Sequence, residues 1–178
     1  MTEESPISWI LSRRSIRKYK KEQIPDATIK AILKAAMYAP SAVNCQPWHF
    51  VLTSNPQIFK RITEIHPYAG FVKEASHAIL VCGDEKLQHD TGYYLLDCSA
   101  ATQNILLAAH SLGIGSCWIG IYPREERIKK FKELFALPEH VQPLSLVSLG
   151  YPQEMKSQPE RYKSERIQYD IWGNSGSL

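Results

Sequence analysis

Arg13-Arg14-Ser15-Ile16-Arg17 places three guanidinium groups and a hydroxyl within five consecutive residues. In an extended chain the side chains alternate, so Arg13, Ser15 and Arg17 share one face at spacings of two. That face offers several charge-assisted donors to a phosphate and to neighbouring hydroxyl or carbonyl oxygens, and Arg14 belongs to the same candidate anion cluster. A solvated basic face explains the run equally well when charge alone is considered.

A second segment, Pro40-Ser41-Ala42-Val43-Asn44-Cys45-Gln46-Pro47-Trp48-His49-Phe50, carries complementary chemistry. A flat heterocycle with amide and carbonyl edges needs donors and acceptors side by side, which the carboxamides of Asn44 and Gln46 supply. The small residues Ser41 and Ala42 let a ring approach the backbone. A proline-rich turn is the plain alternative.

Other catalytic signatures are missing. There is no Gly-x-Ser-x-Gly elbow, no Gly-x-x-x-x-Gly-Lys-Ser/Thr phosphate loop and no His-Glu-x-x-His. Gly113, Gly115 and Gly120 follow a helix and precede a strand, the reverse of the dinucleotide-binding order. The histidines at 49, 66, 77, 89, 110 and 140 lack metal-ligand spacing, so no metal site is expected. Cys45, Cys82, Cys98 and Cys117 form no Cys-x-x-Cys pair and read as reduced thiols. With no side-chain nucleophile in view, the expectation is that a bound cofactor carries any reaction and that no residue is itself catalytic.

Stepping outward, 178 residues suit one domain over 1–178, with 44% hydrophobic and 22% charged residues typical of a globular chain. The net charge of +3 is local: Arg13 to Lys21 holds six of the 21 basic residues, and the remaining 15 face 18 acidic ones. A concentrated positive patch suits a compact anion better than a nucleic-acid track. The acidic N-terminus lacks a signal-peptide pattern, and no run approaches the roughly 20 apolar residues of a membrane span, so a cytoplasmic protein without membrane contact is expected.

The positioning elements follow from periodicity. Ser5-Pro6 starts a short helix through Ile7, Ile10 and Leu11 that leads into the arginines. Pro25-Asp26 opens a helix whose buried stripe is Ile29, Ile32, Leu33, Ala36 and Met37, stopped by Pro40. Trp48–Thr53 and His77–Cys82 read as strands, with a helical stretch around Phe59–Glu64 between them. A long helix spans about Gly92–Leu112, with a seam at Leu95, Cys98, Thr102, Ile105, Ala109 and Leu112, and Gly113 as its left-handed stop. Two more strands, Gly115–Tyr122 and Leu144–Leu149, flank an amphipathic helix through Ile128, Phe131 and Leu134. Four strands mixed with four or five helices in no βαβ order predict an α+β fold. The apolar Ile167, Tyr169, Ile171 and Trp172 near the C-terminus suggest an arm that docks on a partner subunit.

Together these segments resemble the nitroreductase family of FMN-dependent oxidoreductases. The resemblance rests on Arg-Arg-Ser-x-Arg, Pro-Ser-x-x-Asn-x-Gln-Pro-Trp, the long helix with Asp97, Ala100 and Asn104, and Leu-Gly-x-Gly-Ser-x-Trp-Ile-Gly. It implies a nitroreductase-like fold, with a mainly antiparallel four-stranded sheet flanked by helices and a C-terminal arm reaching the other subunit. It also implies a homodimer holding FMN at its interface. Arg13 is then expected at the FMN phosphate, Ser15 at the phosphate or ribityl chain, and Arg17 at the N1/O2 edge of the ring. Asn44 and Gln46 meet the ring's polar edge; Ile119 and Gly120, after Trp118, bring backbone near N5. Arg161, among the neighbours Lys163 and Arg166, reaches back to the phosphate, while Pro40 and Ser41 come from the partner.

The activity implied is hydride transfer from NAD(P)H to a small nitroaromatic or quinone-type acceptor, with ping-pong kinetics. A flavin-storing or sensing protein shares every one of these motifs. The short stretch between Cys82 and the long helix leaves little sequence for a lid over the flavin, which points away from dehalogenation and flavin destruction.

Overall fold

The structure, a computed structural model, describes residues 7–174. The Ser5-Pro6 helix start lies outside the described residues. Four strands, β1 (Trp48–Thr53), β2 (His77–Asp84), β3 (Gly115–Gly120) and β4 (Val141–Gly150), form one sheet in the order β1-β2-β4-β3. All three pairings are antiparallel, with His49 opposite Cys82, Ile79 opposite Val147 and Cys117 opposite Ser148.

Among the described residues the α-helices are α1 (Ile7–Ser12), which packs on α4, and α2 (Asp26–Met37), α3 (Pro56–Ile65), α4 (Tyr93–Ser111) and α5 (Glu125–Phe135), which cover the sheet. On β2 the side chains divide by the period of two. Ile79 and Val81 meet α2 and α4 in one cluster, and Ala78, Leu80 and Cys82 meet α3 and α5 in the other. With both faces covered, every residue of β2 is buried, which is why it reads as an unbroken apolar run.

The helix ends obey local chemistry. Asn55 caps α3 by accepting from the Gln57 N–H at 2.9 Å, with Pro56 at the first helical position. Helix α4 closes with Gly113 at φ 72°, where Ile114 N–H bonds Ala109 C=O at 2.8 Å and Gly113 N–H bonds His110 C=O at 3.0 Å.

Three expectations need correction. Met37, placed in a buried stripe, and Leu112, placed in a packing seam, are 52% and 47% exposed; Met37 is the last residue of α2 and Leu112 the residue after α4. Strand β4 begins at Val141 and contains Pro143. Its ladder shifts where Val81 pairs Ser145 but Cys82 pairs Pro143, so Leu144 is the extra residue of a bulge that accommodates a proline without an N–H. Strand β3 ends at Gly120, before Tyr122. Short 3-10 turns at Ala42–Asn44, Gly70–Glu74 and Ser164–Arg166 carry no periodic signal in the sequence.

Candidate functional site

The basic segment is an extended arm laid against the free edge of β3. Ser15 and Ser116 make a parallel bridge, with Ile16 N–H donating to Ser116 C=O at 2.9 Å. The chain leaving β4 returns along the arm's other side: Lys20 N–H bonds Tyr151 C=O and Gln153 N–H bonds Lys18 C=O, each at 2.9 Å. Ile16 and Tyr19 anchor the arm; the Tyr19 hydroxyl donates to Ile16 C=O at 2.6 Å and shares a 2.8 Å hydrogen bond with Ser148.

With the backbone held, the alternating side chains gather. Arg13, Ser15, Arg17 and Lys156 all lie close enough to act on the buried Cys117 thiol, which burial pushes up and those groups pull down. Arg13 itself is held below the usual guanidinium range, first by burial and then by the neighbouring Arg161 and Arg14. His110 is likewise depressed by burial and then by Arg13 and Arg14, so the positive field extends to the end of α4. The fold thus brings Arg161 back to Arg13 across the sequence. A partly buried Arg13 is repelled by Arg161 and Arg14, and a phosphate dianion is the chemistry that reverses this.

Arg14 behaves differently from its neighbours. Its guanidinium donates to Leu11 C=O and Arg13 C=O, both at 2.7 Å, and to Ser157 C=O at 2.9 Å, binding the end of α1 to the C-terminal segment. Its remaining terminal nitrogen is buried without a partner among the described residues. Arg17 extends over the Phe71 ring, 5.7 Å from its centre.

At β3, Ser116 C=O meets the arm and Gly120 C=O accepts from Arg127 at 2.8 Å. The period of two therefore sets the main chain of Trp118 and Gly120 on this same outer edge and turns that of Ile119 toward β4. The Ile119 side chain is 4% exposed and belongs to the core.

The segment from Pro40 to Gln46 is a closed unit. Ser41 Oγ accepts from Gln46 N–H at 3.0 Å, and Gln46 Nε2 donates to Asn44 Oδ1 at 3.0 Å, leaving the Asn44 N–H groups and the Gln46 carbonyl oxygen facing outward. Val43, Asn44 and Gln46 hold φ of 51°, 56° and 49°. For the β-branched Val43 the left-handed region costs about 1–2 kcal/mol, so the shape is maintained by its surroundings. Among the described residues no hydrogen bond joins this segment to the arginine arm. Ser41, Asn44 and Gln46 are thus bonded to one another and form one local unit.

The sequence profile of the nitroreductase family matches residues 10–66 and 66–151. A Methanothermobacter thermautotrophicus protein, provisionally named NADH dehydrogenase/NAD(P)H nitroreductase, is 47% identical over 163 residues, covering 92% of this chain and 85% of that one. The chain belongs to the nitroreductase family. Among solved structures, a protein of Parabacteroides distasonis with the same provisional name superposes with a TM-score of 0.91 at 35% identity, over 96% of this chain and 100% of the other. A provisionally named nitroreductase of Desulfovibrio desulfuricans, solved in complex with FMN, superposes at 0.83 with 30% identity, covering 96% and 99%.

In this nitroreductase chain the sequence reading passed over Glu154, Lys156 and Phe71. Glu154 Oε1 accepts from Arg17 N–H at 2.6 Å, and Lys156 donates to Ser15 C=O at 2.7 Å while pairing with Glu154 at 3.3 Å. No spacing signal links residues so far apart in sequence. A cavity of about 830 Å3, lined by Tyr19, Lys20, Lys73 and Ser76 among others, contains none of the candidate side chains. His49 and His140 flank Asp84 at 3.6 and 3.8 Å, yet among the described residues no group is arranged to ligate a metal. No helix among them is long and apolar enough to cross a membrane.

Proposed function

We propose that this nitroreductase-family chain is an FMN-dependent NAD(P)H oxidoreductase whose site is completed by a second copy of itself. The observation that carries the reading is the convergence of Arg13, Ser15, Arg17 and Arg161 beside the outer edge of β3. The FMN complex of the Desulfovibrio desulfuricans relative and the NAD(P)H nitroreductase name of the Methanothermobacter thermautotrophicus relative support it.

The donor set fits the cofactor. Arg13 and Arg161 supply two cations for the phosphate, Ser15 a hydroxyl for the phosphate or ribityl chain, and Arg17 a cation for the ring's N1/O2 edge. Arg14 serves this site indirectly, by tying the arm to α1 and the C-terminal segment. Trp118 and Gly120 contribute main-chain groups on the exposed edge, and Ile119 holds that edge in the sheet. Pro40, Ser41, Asn44 and Gln46 of the second copy meet the ring's polar edge.

Bound FMN supplies hydride acceptance from NAD(P)H and onward two-electron transfer to a small nitroaromatic or quinone-type acceptor, one after the other at the same face. The chain's own residues bind, orient and tune: the fixed charge of Arg17 favours negative charge developing on the neighbouring ring edge. No side chain is required as nucleophile or general acid. Anaerobic titration of the flavin-loaded protein with NADH and with NADPH is the test. Bleaching of the visible flavin band by at least one donor is expected; a flavin-loaded protein that neither donor reduces would be a flavin-storing protein instead.

A further inference from the structure

Two polar residues of α4 reach across to the α2–β1 connection, and the site as described assigns them nothing. Asn104 Nδ2 donates to Ala35 C=O at 2.9 Å, and Asp97 Oδ1 accepts from Ala42 N–H at 3.0 Å. Seven residues apart, about two helical turns, they point the same way. One grips the last turn of α2. The other grips the first residue of the 3-10 turn, so α4 holds the chain at two points on the N-terminal side of Val43 to Gln46.

Asp97 is an expensive choice for this task. Its side chain lies in a residue only 5% exposed, and Oδ2 is buried without a partner among the described residues. A carboxylate half-satisfied in the interior is costly, and a neutral acceptor meets the Ala42 N–H at less expense. The gain is strength, since a hydrogen bond to a charged acceptor is roughly twice as strong as a neutral one. What it restrains is a strained loop, with three non-glycine residues among Val43 to Gln46 in the left-handed region. Such a loop relaxes unless the chain entering it is held.

We propose that Asp97, supported by Asn104, is a positioning residue that locks residues 41–46 in the conformation presenting the Asn44 and Gln46 carboxamides to the flavin ring. The ring contact rests on the FMN reading above; the lock does not.

The test compares wild type, Asp97→Ala and Asp97→Asn for FMN affinity, riboflavin affinity and hydrogen exchange at the Ala42 amide. Asp97→Ala is expected to weaken FMN and riboflavin by a similar factor of about 10 or more, because the ring-facing loop slackens while the phosphate donors stay in place. Asp97→Asn keeps a carbonyl oxygen for Ala42 and is expected to recover most of that loss. Ala42 exchange should quicken in Asp97→Ala even without flavin. A folded Asp97→Ala protein that protects Ala42 and binds both flavins like wild type overturns the proposal. So does one with a lower melting temperature but unchanged flavin affinity, which makes Asp97 structural only. If Asp97→Ala fails to fold, Ala42→Pro deletes the donor at a position where proline fits, and unchanged binding of both flavins by that variant is equally fatal. A wild-type chain that binds neither flavin sinks the FMN reading and leaves the lock to be decided by Ala42 exchange.

Discussion

The Arg17 main-chain N–H donates to the Glu154 carboxylate at 2.6 Å, fastening the arginine arm to the segment that follows β4. That N–H holds the Glu154 carboxyl below its usual range, opposed by burial and reinforced by Lys156. A group whose folded pKa is depressed contributes stability above its unfolded value, about 4.3 for a glutamate, and loses it as pH falls through the folded value. Glu154→Gln should therefore melt at a lower temperature than wild type at neutral pH, with the difference closing below about pH 4. Melting curves across pH check this; a difference that persists in acid removes Glu154 from the linkage.

Arg13 and Arg161 repel one another in the absence of an anion, so their worth to stability and to binding has opposite signs. Arg161→Ala is expected to leave the flavin-free protein at least as thermally stable as wild type while weakening FMN about tenfold. Riboflavin, which lacks the phosphate, should bind the variant as it binds wild type. Parallel titrations with the two flavins decide it, and equal losses for both would take Arg161 away from the phosphate.

Tyr19 packs against Gly150 so closely that a Cβ on residue 150 would stand 2.7 Å from the ring. Gly150→Ala must push back the side chain that anchors the arm, at a cost of about 1–3 kcal/mol in stability. Tyr19→Phe should cost a similar amount, about 1–3 kcal/mol, by leaving the buried Ser148 hydroxyl and Ile16 carbonyl short of a partner. Chemical denaturation measures both. A Tyr19→Phe protein of wild-type stability would show that the buried hydroxyl pair is idle.

Cys82, Cys98 and Cys117 are buried, with Cys82 pushed up to about 12 by desolvation, whereas Cys45 is half-buried in the Pro40 to Gln46 segment proposed to meet the ring. A thiol reagent should label Cys45 first in the native protein and the other three only on unfolding. Saturation with FMN should slow the labelling of Cys45 if that loop closes on the cofactor. Peptide mapping of the labelled chain identifies the site; equal labelling rates with and without FMN would argue against the loop's place at the ring.

Local chemistry written into the chain set the elements. Helix α2 is legible from Ile29, Ile32 and Ala36 between two prolines, β1 from Trp48 to Thr53, and the end of α4 from Gly113, because period and punctuation act over a few residues. The same reasoning finds β4 from Leu144 to Leu149 but misses its start at Val141, because Pro143 interrupts the pattern. Only the opposing register of β2 shows that a bulge at Leu144 removes the conflict. The alternation of Arg13, Ser15 and Arg17 likewise stated which side chains share a face. It could not state what holds that face still. Glu154, Lys156 and Arg161 arrive from more than a hundred residues away, and Asp97 reaches Ala42 from another helix. Such partnerships depend on how strands and helices stack. Spacing along a chain constrains neighbours within a turn or a strand, whereas pairing across the fold follows from which surfaces bury together.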